Sequence, residues 1–170
     1  MDSLFDAWKN KIPKYSVRFS DLFSSLAHKG AASSQTVTSL GKHFDVQYEL
    51  YIYAFFLGLY NNERLPFEQD EKRKDFSREI MYWGSKSKAD RKDFTYIQDY
   101  IFMALVSKSD LSLVSLDKDD IDIKDAVKEL INVLEEYTNG GLTIIHEKIE
   151  DELSPFLTSD SFLQLLLKST

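Results

Sequence analysis

The chain has 170 residues, 43% of them apolar and 14% aromatic, a formal net charge of −7 and no cysteine. A chain of this length suits one domain with a sizeable core, since roughly 70% of the unfolded surface is buried at this size. The acidic balance argues against a general nucleic-acid coat, and the missing thiols exclude disulfides, thiolate nucleophiles and cysteine-bound zinc.

The first stretch, MDSLFDAWKNKIPKY, has no basic segment leading into an apolar one, so no secretory signal is expected. No run reaches the roughly 20 apolar residues that a membrane helix needs. The expectation is a cytoplasmic protein. Residues 2–9 fit a short helix capped by Asp2 or Ser3, with Leu4, Phe5 and Trp8 on one side and Pro13 as its stop. Residues 18–28 fit a second helix, with Phe19, Leu22, Phe23 and Leu26 along one face. Residues 30–39, GAASSQTVTS, are small and polar and read as a linker. Residues 1–40 are therefore expected to form an N-terminal helical arm and linker, and 41–170 a helical core domain.

The most informative stretch is 44–60, FDVQYELYIYAFFLGLY. Its polar residues Asp45, Gln47 and Glu49 all lie near the start, and everything from Leu50 to Tyr60 is apolar, aromatic or Gly. A helix that is hydrophobic all round is a core helix when it is too short to span a bilayer. Residues 45–60 are predicted as the central helix, capped by Asp45 and ending at Asn61-Asn62, with Pro66 close behind. The charged residues 63–75 are expected to be exposed. In 76–83, FSREIMYW, a helical face holds Phe76, Ile80 and Trp83; a short strand fits equally, and Gly84 ends either.

Residues 90–108 predict another helix, with Phe94, Ile97, Ile101, Ala104 and Leu105 as its stripe. Tyr96, Tyr100 and Met103 broaden that stripe, so deep packing is expected. Residues 111–116 read as a strand or an extended connection. Asp119 or Asp120 starts a helix patterned by Ile123, Val127, Leu130, Leu134 and Tyr137, and Asn139-Gly140-Gly141 is expected to end it, because Asn and Gly tolerate the left-handed conformation of a helix stop. Leu142, Ile145, Ile149 and Leu153 then form the second arm of an antiparallel hairpin. Pro155 breaks it, and a last helix covers 162–167 with Ser159 or Asp160 as cap. The predicted fold class is mainly α: a compact helical bundle around one buried central helix, with room for a short strand pair.

Catalytic constellations are scarce. His28, His43 and His146 have no partner at ligand spacing, and His146-Glu147 starts like a zinc-protease motif but has Glu150 where its second histidine belongs. Asp117, Asp119, Asp120 and Asp122 resemble a calcium loop, but Ile121 interrupts the ligands and the turn glycine is missing. Carboxylates opposing a helix dipole explain them better. There is no GxGxxG, no Walker loop and no nucleophile elbow, so no catalytic residue, metal or cofactor is expected. An enzyme reading would need scattered acids such as Glu49 and Asp99 to meet inside a bundle, without the Glu-x-x-His pair of known carboxylate sites.

Two features point to binding. Asn139, Gly140 and Gly141 read first as a helix stop and second as a backbone-lined anion or partner site. Residues 72–92 hold Lys72, Arg73, Lys74, Arg78, Lys86, Lys88, Arg91 and Lys92 against Asp75, Glu79 and Asp90, or 8 − 3 = +5, which leaves −7 − 5 = −12 on the remaining chain. Such a separation suits an anionic partner, and Arg64 lies just upstream. Tyr82 and Trp83 inside the segment either stack on bases, fill a protein pocket or turn into the core.

The segments ELYIYAFFLGLYNNERLPF and EEYTNGGLTIIHE, with the helix between them, resemble a family of small accessory proteins that accompany bacterial DNA phosphorothioation (Dnd) modules. The resemblance covers about residues 45–153 and rests on Gly58, Arg64, Tyr137, Asn139, Gly140 and Gly141. It implies a cytoplasmic bacterial protein near DNA modification or phage defence, and it carries over no catalytic residue. The expected function is a non-enzymatic interaction module with a protein partner, with nucleic acid contacted indirectly and no membrane. Direct nucleic-acid binding through 72–92 and an unrecognised carboxylate enzyme are the alternatives.

Overall fold

The computed structural model describes residues 3–27, 43–86, 92–118, 120–151 and 160–167. Its described part is mainly helical, as the periodicity predicts. The helices are α1 (Leu4–Lys9), α2 (Ser20–Leu26), α3 (Gln47–Tyr60), α4 (Ile97–Lys108), α5 (Leu113–Asp117), α6 (Ile123–Asp151) and α7 (Ser161–Leu167). Strands β1 (Lys14–Ser16) and β2 (Arg73–Asp75) pair as a two-stranded antiparallel sheet. The chain forms two compact units, one of Met1–Lys14 with Asp75–Glu135, the other of Tyr15–Lys74 with Glu136–Thr170. Each passage between them falls inside a regular element: β1, β2 and α6. The expected boundary at 40/41 lies outside the described residues.

In the first unit, the Ser3 hydroxyl accepts the Asp6 N–H at 3.1 Å and caps α1. That helix buries Trp8, which packs on Phe5 and, at 5.5 Å between ring centres, on Phe102 of α4. Phe76, Ile80 and Trp83 are buried together as their spacing predicts, but not on a helix. The Phe76 N–H is taken by the Pro13 carbonyl at 2.8 Å and the Ile80 N–H by the Lys11 carbonyl at 3.1 Å, so the segment bends at Ser77 and Arg78 and closes in a 3-10 turn at Ile80–Tyr82.

α4 starts at Ile97, seven residues later than predicted. The reason is local. Phe94 donates its N–H back to Gly84, at 2.9 Å, and Asp93 Oδ1 accepts both the N–H and the hydroxyl of Thr95. A second correction concerns its packing. α4 buries Gln98, Ile101 and Leu105, whereas Tyr96, Tyr100 and Met103 are 59%, 54% and 56% exposed on the opposite face. Gln98 is buried because its Nε2 donates to the carbonyls of Met81 (3.1 Å) and Trp83 (2.7 Å), which fastens the 3-10 turn to α4. Residues 111–116 do not form a strand: Ser112 Oγ accepts the Ser115 N–H at 3.2 Å and caps α5 instead.

In the second unit, α3 is buried nearly all round, with Tyr48, Leu50, Tyr51, Ile52, Ala54, Phe55, Leu57 and Gly58 inside. Its start is held by Glu49 and not by Asp45: the Glu49 carboxylate accepts the N–H groups of Asp45 (3.0 Å) and Val46 (3.4 Å). Its end is at Asn61, and Asn62 follows in the left-handed region, at φ 52°. Phe19, Phe23 and Leu26, which the sequence assigns to an N-terminal arm, are buried. On α7, Phe162 is buried against the rings of Phe44 (4.9 Å), His43 (5.0 Å) and Tyr53 (5.2 Å). The Tyr53 hydroxyl donates to the Phe162 carbonyl at 2.7 Å, and burial pushes its pKa well above the usual phenol value.

The largest correction is in α6, which runs unbroken through Asn139, Gly140 and Gly141. There is no turn there, no hairpin and no new helix start to hold an anion. Glycine within a helix costs about 1 kcal/mol relative to alanine. Here it permits close backbone approach. A Cβ on Gly141 would overlap the Ala54 carbonyl of α3, one on Gly140 the Glu63 carbonyl, and one on Gly58 the Tyr137 carbonyl of α6. Gly58 and Gly141 thus let the two helices cross with backbone against backbone, and Gly140 admits the loop that follows α3.

Candidate interaction surface

β2 follows the end of α3 by a charged loop. Lys72 accepts the Val17 N–H at 2.9 Å, and with the Phe76–Pro13 bond this sets Tyr15 opposite Lys74 and Ser16 opposite Arg73. Lys72, Arg73 and Lys74 are all exposed. The Lys74 ammonium stands 5.2 Å from the centre of the Tyr15 ring, and the Arg73 guanidinium 5.1 Å from that of Phe67. These ring contacts order the two side chains without neutralising them. None of the three cations makes an ion pair among the described residues. Two neighbouring arginines differ. Arg18 pairs with Glu71 at 3.3 Å and donates to the Thr143 hydroxyl at 3.2 Å, and Arg64 pairs with Glu136 at 2.5 Å. Leu65 also donates its N–H to the Glu136 carbonyl, so Arg64 ties the loop after α3 to α6.

The other described cations of the basic segment, Arg78, Lys86 and Lys92, belong to the first unit and are exposed. Arg78 lies 5.2 Å from the centre of the half-exposed Tyr82 ring. Trp83 is fully buried, so it is a core residue and not a stacking platform. Asp93 is held below its ordinary pKa chiefly by the Thr95 hydroxyl, then by the N–H groups of Thr95 and Lys86. Lys88 and Arg91 lie outside the described residues.

Several of the remaining candidates make contacts within their own unit. Asn139 is buried and donates Nδ2 to the Leu65 carbonyl at 3.0 Å. Glu49 caps α3 in the second unit, and Asp99 is exposed on α4 in the first. His146 Nδ1 is 3.5 Å from Glu150, one helical turn on. Asp122 accepts the Lys124 N–H at 2.6 Å at the start of α6. Among the described residues no group of three or more His, Asp and Glu is placed to hold a metal ion. Sequence reasoning missed Tyr15 and Phe67 as the rings beneath the cations; only the alternation of β1 offers a hint of the first, and nothing near Pro66 marks the second.

Residues 31–169 match the family described as DNA sulphur modification system-associated protein 4. The chain belongs to that family. No curated protein and no solved structure is matched by it. Membership in the sulphur modification system-associated family agrees with the resemblance carried by the two sequence segments, and the structure explains those segments physically. Gly58, Arg64, Tyr137, Asn139, Gly140 and Gly141 all lie within the matched span and all sit where α3 and its following loop cross α6. They build the scaffold, whereas Lys72, Arg73 and Lys74 stand on its surface. No helix among the described residues is long and apolar enough to cross a membrane.

Proposed function

We propose that this chain is a non-catalytic accessory module of a bacterial multi-protein DNA-modification or phage-defence system, which works in the cytoplasm by docking an acidic protein surface on its basic segment. The observation that carries the reading is the run of Lys72, Arg73 and Lys74, exposed and free of ion pairs among the described residues. A run of surface cations with no intramolecular counter-charge keeps a local positive potential open to an anionic partner. Arg64 is left out of the contact set, because Glu136 already meets its charge. The family's association with DNA sulphur modification supports a role among several proteins that meet at DNA.

Direct DNA binding is the competing reading, favoured by the exposed Tyr82 with Arg78 above it. A net charge of −7 opposes it, since the rest of the chain would repel a duplex. A fluorescence-anisotropy titration of duplex and single-stranded DNA across a salt series separates the two. Phosphate binding would lower log affinity with log salt by about 0.9 per contact on a duplex. The expected result is no detectable binding at physiological salt. Submicromolar binding that is lost when Lys72, Arg73 and Lys74 are all changed to Glu would replace the proposal with the DNA reading.

A further inference from the structure

The register of the two-stranded sheet decides which main-chain groups of β2 are in use. The bonds from Val17 N–H to the Lys72 carbonyl and from Phe76 N–H to the Pro13 carbonyl turn the main-chain groups of Lys72, Lys74 and Phe76 toward β1. Alternate residues of an antiparallel ladder point the opposite way, so the N–H and C=O groups of Arg73 and Asp75 face away from β1. All three residues of β2 are exposed, and nothing among the described residues pairs with that outer edge.

Side chains alternate as well, which puts Lys72 and Lys74 on one face of the ribbon and Arg73 on the other. An edge with cations on both faces is a poor template for a second copy of itself, because like charges would lie side by side. The same layout favours an extended segment rich in Asp and Glu, which its own repulsion already keeps from collapsing. We propose that β2 is a docking edge, on which an acidic extended segment of a protein partner adds as a further strand alongside Arg73–Asp75. Main-chain bonds to Arg73 and Asp75 would align the segment, and Lys72, Arg73 and Lys74 would select its charge. This deepens the reading above and rests on it.

The test uses the full chain and a short fluorescein-labelled peptide of alternating Glu and Val. Asp75→Pro removes one outward N–H and keeps every cation; proline is tolerated at an edge where the N–H faces outward. Asp75→Ala is its control for the lost carboxylate. Asp75→Ala should bind the peptide as well as wild type or better, and Asp75→Pro about tenfold more weakly than the control. In the wild type, peptide should slow amide exchange at Arg73 and Asp75, a readout that stands even if the proline variant folds poorly. Equal binding by the two Asp75 variants together with unchanged exchange at both amides would overturn the strand pairing and leave charge-only docking intact. No peptide binding by wild type would also overturn it. Peptide binding indifferent to Glu at 72, 73 and 74 would sink this inference and the functional reading together.

Discussion

α3 and α4 look alike in sequence, and the fold uses them differently. QYELYIYAFFLGLY and IQDYIFMALVSK are both rich in aromatic and aliphatic residues with few charges. α3 buries side chains round most of its surface, with Glu49, Tyr53, Phe56 and Tyr60 on its part-exposed line, while α4 buries one line and leaves Tyr96, Tyr100 and Met103 in solvent. The difference lies in what can approach. α3 carries Ala54 and Gly58, whose small size admits the backbone of α6. α4 has no glycine, and its buried line begins with a polar residue, Gln98, whose amide is bound to two carbonyls. Hydrophobic content alone therefore does not tell how many faces a helix buries; the positions of its smallest and its hydrogen-bonding residues do.

The strongest way to break this contrast is Gly141→Ala. Helix propensity alone would make it stabilising by about 1 kcal/mol. Because the new methyl would overlap the Ala54 carbonyl, the expected outcome is a loss of about 3 kcal/mol or more in chemical denaturation. A raised denaturation midpoint would mean that the crossing is not as close as described. Next in size is Leu57→Ala on α3, expected to cost about 2–5 kcal/mol as a large-to-small change in a packed core. An unchanged midpoint would remove α3 from the core.

A smaller effect is expected for Tyr53→Phe, which loses the bond to the Phe162 carbonyl and about 1 kcal/mol. Burial raises the Tyr53 pKa, so the folded state favours the neutral phenol. Its contribution is whole below the unfolded value of about 10 and is lost as pH rises beyond it. Stability measured against pH should therefore fall more steeply above about pH 10 in wild type than in Tyr53→Phe; parallel alkaline limbs would contradict the burial of that hydroxyl. The smallest change belongs to Tyr100→Ser on the exposed face of α4, expected to stay within about 0.5 kcal/mol. A loss as large as that of Leu57→Ala would place Tyr100 in a core.

Periodicity made much of this fold legible. The i, i+4 and i+3 spacing of Val127, Leu130, Leu134 and Tyr137 named the buried face of α6, and Phe76, Ile80 and Trp83 were found as one buried group even though their backbone is not helical. What periodicity could not reveal was partnership over distance. Asn139-Gly140-Gly141 has the local signature of a helix end, and only the α3 backbone shows why glycine is needed inside a helix there. Tyr96, Tyr100 and Met103 are apolar enough to predict burial, yet nothing among the described residues covers them. For the candidate surface, the charge run was plain in the sequence. Which cations near it are paired was not, because Glu136 and Glu71, which meet Arg64 and Arg18, are placed by tertiary structure.

On the proposal above, Lys72, Arg73 and Lys74 hold a protein partner. The most direct test is affinity capture from the native host, with the extract treated by nuclease, using wild type and the variant carrying Glu at all three positions side by side. The expected result is an acidic protein retained by wild type after nuclease treatment and lost from the variant. Retention of the same protein by both, or release of everything bound by nuclease, would contradict the claim.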